Sequence, residues 1–245
     1  MVPLKCIASG ALSRPIAQNG AAYGFTSSPC PHDVTARIAP SKLVLKITIT
    51  NPKNQDSVTF LETSATTGGQ RTLLEVEVAP GGRNRLHFHK TFTEHFIATA
   101  GPVRLATVDG DLTLQPGERF SASPHVQHAF FNDTGAPMRF EVEMTPANEP
   151  FELFLQVAYG LINDTWTLPG GFPINPLHLG VLYELGDTHY KGILQWMTPL
   201  AAMMAALARW TGTRRRLIDA YAQTQRTSHT APATALHHTD TEKRQ

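Results

Sequence analysis

Cysteine is scarce in this chain: Cys6 and Cys30 are the only two among 245 residues, and neither lies in a CxxC or other paired-thiol motif. A disulfide framework and a thiolate zinc site are therefore not what orders it. Charge of one sign is scarce too, since 21 basic and 20 acidic residues leave a net +1. Such a surface has no overall field to gather nucleic acid or an anionic membrane, and a small-molecule partner is the better expectation. No GxGxxG follows a strand-like segment, so nothing supports a nicotinamide or flavin Rossmann unit. The opening MVPLKCIASGALSR is interrupted by Lys5, Ser9 and Gly10 and falls short of a signal-peptide core. Acidic residues are missing before Asp33, a transit-peptide-like bias, yet a cytoplasmic location is the expectation.

What the chain does have is alternation. Residues 1–41 scatter Gly, Pro, Ser and Ala without a period and read as an irregular arm. From Lys42, KLVLKITIT and then SVTFLET alternate across the turn residues NPKNQD, a hairpin pattern. RTLLEVEV puts Leu74, Val76 and Val78 on one face and Glu75 and Glu77 on the other. Short strands follow near Leu86 to Lys90, Glu94 to Ala100, Val103 to Val108, Asp111 to Leu114, His128 to Phe131 and Met138 to Met144, each bounded by Gly or Pro turns. With no helices between them, residues 42–146 predict a mainly β domain, an antiparallel sandwich or barrel.

After Asn148 the apolar period lengthens. EPFELFLQVAYGLIND and PLHLGVLYELGD show helical spacing, and a third segment, GILQWMTPLAAMMAALARWTG, places Ile193, Trp196, Met197, Leu200, Met203, Met204 and Leu207 on one broad face. Residues 147–222 thus predict a helical extension, and the polar tail 223–245 is expected to be disordered. Gln195, Pro199 and Arg209 break the third segment's apolar run, which argues against a membrane span. Docking on the barrel or on a second subunit, as in a homodimer, is favoured over residues 192–216 lying in a membrane interface.

The chemistry-bearing residues cluster in two stretches, GGRNRLHFHKTFTEHFIATAG (81–101) and GERFSASPHVQHAFFN (117–132). His87 and His89 are two apart on an expected strand, so both imidazoles share a face. Glu94 follows across a short turn, and His128 joins them only if the sheet folds back or closes, as the strand count suggests. Three imidazoles and one carboxylate suit Fe(II), Mn(II), Ni(II), Cu(II) or Zn(II), and the residues alone do not choose among them. Four protein donors leave an octahedral ion up to two open positions for substrate and O₂ or water.

These stretches resemble the two cupin motifs. The first, G(X)5HXH(X)4E(X)6G, is matched at Gly81, His87, His89, Glu94 and Gly101; the second, G(X)5PXG(X)2H(X)3N, at Gly117, His128 and Asn132. Ser123 stands where the family has Pro and His125 where it has Gly, with Pro124 one place late. The resemblance covers roughly residues 45–146 and implies a small jelly-roll barrel holding a metal. The downstream helical pattern looks like that of single-domain cupins with a C-terminal helical extension, some of them similar to oxidoreductases of fungal polyketide pathways and to quercetin-dioxygenase-like proteins. What this implies is a metal-dependent oxidoreductase, an O₂-using dioxygenase or oxidase of an aromatic or polyketide-like small molecule, with Fe(II) at His87, His89, Glu94 and His128. A redox-silent isomerase, cyclase or decarboxylase and a non-catalytic binder remain alternatives.

Further candidates follow from position. Arg85, two before His87, is expected to share the inward face and hold a carboxylate or phenolate, or else to sit at the barrel rim. His125 is a candidate for proton transfer near the metal, with a loop histidine without that role the favoured reading, and Glu94 is a candidate base if the metal holds it weakly. Phe96 and Phe130, each two residues from a candidate ligand, are expected to line the cavity or pack in the core.

Overall fold

The computed structural model describes residues 46–165, 167–168, 171–192 and 198–222. The expected arm at 1–41, the first residues of the opening strand, the 193–197 part of the third helical segment and the tail at 223–245 lie outside these residues. The opening hairpin pairs β1 (Ile47–Asn51) with β2 (Asp56–Glu62). A short helix, α1 (Ser64–Thr67), follows where only a loop was expected. Its signal is local: Thr63 accepts from the Thr66 backbone N–H while the Thr66 hydroxyl accepts from the Thr63 N–H, and Gly68 ends it in the left-handed region.

The remaining strands are β3 (Thr72–Val78), β4 (Thr93–Ile97), β5 (Val103–Thr107), β6 (Gly110–Leu114), β7 (Arg119–Ala122), β8 (His128–Phe130) and β9 (Met138–Thr145). They form a six-stranded sheet, β1-β2-β3-β9-β4-β7, and a three-stranded sheet, β6-β5-β8. Each pairing is antiparallel. β7 was not foreseen because it is a four-residue edge strand with a single buried side chain, Ala122. The strand expected over 86–90 is reduced to single bridges, His87 to His128 and Phe88 to His189, because the chain changes partner between adjacent residues.

Alternation buries one face of each sheet. Leu74, Val76 and Val78 of β3 lie beside Phe140, Val142 and Met144 of β9, and meet Val103, Leu105 and Phe130 of the smaller sheet in one core. At about 1.5–3 kcal/mol for each large side chain buried, this face holds the sheets together. On the outer face Arg139 sits opposite Glu77 and pairs with it, while Glu143 pairs with Arg71 and Arg119. In this jelly roll the connection between β3 and β4 pairs with β8 and the residue after it through the bridges Arg83 to Phe131 and His87 to His128. The candidate donors stand at that seam.

The C-terminal extension comprises α2 (Glu149–Asp164), α3 (Pro176–Gly186), α4 (Thr198–Trp210) and α5 (Thr213–Tyr221). Asn148 caps α2 by accepting from the Phe151 N–H at 2.9 Å, with Pro150 in the first turn. One face of α2 sends Phe151, Leu155, Ala158 and Tyr159 into the core between the sheets; the other packs Leu153, Val157 and Leu161 against Val181, Leu185, Ala208 and Leu217. Buried Glu152 ties α2 to the barrel by accepting from the Ser64 N–H at 2.6 Å and the Thr72 hydroxyl at 2.5 Å.

The broad apolar face expected on the third helical segment is not the buried one. In α4 only Ala205 and Ala208 are buried, whereas Leu200, Met203, Leu207 and Trp210 are 49%, 56%, 39% and 84% exposed. The cause is the close crossing with α3, where a Cβ on Gly180 would lie 2.5 Å from the Ala205 nitrogen. Only small residues fit there, so the large side chains turn outward. Among the described residues no helix is long and apolar enough to cross a membrane.

Candidate metal centre

His87 and His89 project to one side of the segment that crosses the seam, their ring centroids 4.9 Å apart. Phe88 points the other way, against His125 and His189. Reciprocal backbone hydrogen bonds of 3.1 and 2.9 Å join His87 to His128 and bring their rings to 4.6 Å. Glu94 arrives from the other sheet, on β4 opposite Ala122 and Met144. Ligand atoms of His87, His89, Glu94 and His128 all lie within 4.8 Å of one another, and all four residues are buried.

The same backbone orients all three imidazoles. Nδ1 of His87 lies 2.7 Å from the Arg85 carbonyl, Nδ1 of His89 2.9 Å from the Asp187 carbonyl, and Nδ1 of His128 3.0 Å from the Val126 carbonyl. A carbonyl only accepts, so each Nδ1 carries its proton and each Nε2 turns a lone pair toward the common centre. Nε2 of His128 and of His89 stand 2.7 and 3.2 Å from Glu94 Oε2. These three buried atoms lack hydrogen-bond geometry with any partner.

Electrostatics agree with that arrangement. Burial, then the neighbouring His89 and His128, push the His87 imidazole down to about 3, so it is neutral. At Glu94 burial opposes ionisation, but the charge and close contact of His128, and then His89, hold the carboxyl well below the usual range. His128 is opposed by burial too, and Glu94 overrides it to raise the imidazole. Three imidazoles and one carboxylate converging on one centre fit a divalent first-row cation. Thiolates are missing, as they are from catalytic rather than Cys-rich structural sites.

The other sequence candidates fall in different places. Phe96, 1% exposed, meets the His128 ring edge-on at 5.4 Å and also packs on Phe140, so it walls the donors and belongs to the core at once. Phe130 packs edge-on against Phe140 at 5.6 Å, in the core between the sheets. The Arg85 side chain is exposed, its guanidinium 5.3 Å from the Phe172 ring centroid, so it stands at the rim and not on the inward face. Alternation does not carry back from His87 because no regular strand runs there.

His125 is a loop histidine, turned away from the donors. Its ring is exposed and rests 5.6 Å from that of Phe88, on the side away from the donors, which removes it as a proton-transfer group beside the metal. Its backbone takes φ 71°, the left-handed conformation that Gly supplies at this place in the motif, and its N–H donates to the His89 carbonyl at 2.8 Å. His125 thus keeps the turn that its replacement of Gly put in question.

Residues of the extension that no spacing revealed complete the surroundings. Asp187 and Tyr190 follow α3; the Asp187 carbonyl orients His89, and the Tyr190 ring lies 6.4 Å from that of His87. Phe92 stacks on His89 at 4.4 Å and Phe151 of α2 meets its edge at 5.1 Å.

No curated protein sequence matches the chain. Among solved structures, the polyketide cyclase RemF from Streptomyces resistomycificus is 24% identical with a TM-score of 0.35, over 37% of this chain and 65% of that one. A cupin-superfamily sugar phosphate isomerase from Silicibacter pomeroyi is 23% identical with a TM-score of 0.36, over 42% of this chain and 73% of that one. A predicted oxalate decarboxylase from Thermotoga maritima is 17% identical with a TM-score of 0.35, over 41% and 91%. The family model described as cupin domain matches residues 74–144, which span β3 to β9 and hold all four donors. Residues 74–144 of this chain are a single cupin domain.

Proposed function

We propose that the protein is a metal-dependent oxidoreductase that uses O₂ to oxidise an aromatic or polyketide-like small molecule. The observation that carries the reading is the buried convergence of three imidazoles and one carboxylate, with each Nδ1 tied to a carbonyl and no thiolate among them. A bound ion at His87, His89, Glu94 and His128 supplies a redox couple if it is Fe(II), and Lewis acidity if it is Zn(II). The protein's part is to hold Glu94 as an anion and His87 neutral, and to exclude water with the rings of Phe92, Phe96 and Phe151. At the rim, Arg85 offers a guanidinium to an anionic or phenolic substrate.

The test is elemental analysis of protein purified without added metal, followed by O₂ uptake with a panel of phenols, enols and 1,3-diketones. Bound iron and substrate-dependent O₂ consumption are expected. Turnover with Zn(II) under anaerobic conditions would instead establish the redox-silent reading, with Glu94 moving the proton.

A further inference from the structure

We infer that the C-terminal extension is a working part of the metal centre, and that Asp187 is the positioning residue through which it acts on His89. This rests on the reading that the four buried donors hold a metal.

His89 has a different orienting partner from the other two histidines. His87 and His128 each donate to a carbonyl two residues away along their own segment, whereas His89 donates to Asp187, 98 residues further on. A local carbonyl is held by the same short stretch of backbone as its imidazole. The Asp187 carbonyl is only as well placed as the loop that carries it.

That loop is tied down by its own side chain. Asp187 Oδ2 accepts from the Lys90 N–H at 2.9 Å, the Thr91 N–H at 2.8 Å and the Thr91 hydroxyl at 2.6 Å, all in the turn immediately after His89. Oδ1 lies 3.0 Å from His189 Nε2. Paired backbone bonds of 3.0 Å between Phe88 and His189 close the clasp on the other side of His89. One aspartate thus presents its carbonyl to the imidazole while its carboxylate grips the turn that carries that imidazole. Asp187 sits at φ 38°, in the left-handed region that ends α3 and that Asp, Asn and Gly tolerate best. Phe151 of α2 packs on the edge of the same ring, so both contacts from the extension converge on His89. The jelly-roll strands alone supply four donors but leave one of them without its orienting acceptor.

The experiment uses the full chain, titrated with Co(II) and read by ligand-field absorption and by calorimetry. Asp187→Gly keeps the left-handed turn and removes the carboxylate; Asp187→Asn keeps both the turn and an acceptor oxygen. Thr91→Val removes one bond to the carboxylate, together with the bond that Thr91 Oγ1 accepts from Asn148 Nδ2, and guards against misfolding of the glycine variant. Asp187→Gly is expected to weaken Co(II) binding by about 10- to 100-fold and to alter the absorption bands, Thr91→Val to weaken it by about 3-fold, and Asp187→Asn to restore both readouts to near wild type. Wild-type affinity and bands in Asp187→Gly and Thr91→Val overturn the inference while leaving the metal site intact. A wild-type chain that takes up no Co(II) overturns the metal reading and this one with it.

Discussion

His128 Nε2 stands 2.7 Å from Glu94 Oε2 although the two residues come from different sheets, β8 and β4. Both atoms are buried with His89 Nε2, and each residue is placed by the pairing of its own sheet. Removing either partner therefore acts on cation binding more than on the sheets. His128→Ala is expected to weaken Co(II) or Fe(II) binding by at least about 100-fold, more than loss of an orienting partner. A ligand at 100 times its Kd adds about 2.7 kcal/mol of stability, so added metal should raise the Tm of the wild type and leave that of His128→Ala unmoved. Equal metal-induced shifts in the two proteins would contradict the assignment of His128.

His125 tests the boundary of the site. Its imidazole faces Phe88 and not the donors, and its φ of 71° is one that Gly occupies without strain. His125→Gly is expected to change stability by no more than about 1 kcal/mol, because relief of the left-handed backbone offsets the lost ring contact. Metal affinity should stay within about twofold of wild type and the pH profile of turnover unchanged. A shifted pH profile would return His125 to the chemistry.

Much of the fold was legible because its signals are local. Alternation in β3 and β9 gives the buried face directly, and the spacing of His87, His89 and Glu94 gives three donors of one site. What escaped depends on pairing across distance. Asp187 is ordinary helix-stop chemistry in sequence, and nothing near it points to a histidine 98 residues earlier. Of the two readings open for Arg85 the rim is the one it occupies, because alternation does not run back from His87 through a segment without a regular strand. The outward face of α4 was misread for another reason: the apolar moment marks where large side chains lie, whereas packing on α3 is decided by the small ones.

Gly180 makes that last point measurable. Helix propensity alone favours Ala over Gly by about 1 kcal/mol. Here the added Cβ would meet the Ala205 nitrogen at 2.5 Å and the Met204 carbonyl carbon at the same distance, backbone atoms that cannot rotate away. Overpacking costs about 1–3 kcal/mol, so the clash wins. Gly180→Ala should lower stability by up to about 2 kcal/mol in urea unfolding; a gain would show that α3 and α4 separate freely.

Asp56 gives the pH dependence a specific source. It is 6% exposed beneath α2, beside Tyr159 and Asn54, and its carboxylate oxygens make no hydrogen bond of standard geometry among the described residues. Burial outweighs those neighbours and pushes its pKa from 3.8 up to about 6. Between these values the folded chain keeps a proton that the unfolded chain has released, so this group's contribution is complete below about pH 4 and lost as pH rises through about 6. The full cost of ionising it in place is about 3 kcal/mol. Asp56→Asn keeps the shape and cannot ionise. Its stability relative to wild type should therefore rise by about 1.5 kcal/mol between about pH 5 and pH 7.5, read from urea midpoints at each pH. A difference that stays flat across that range would mean that Asp56 ionises in the folded protein as readily as in the unfolded chain, and that the seam between β2 and α2 is wetter than its burial indicates.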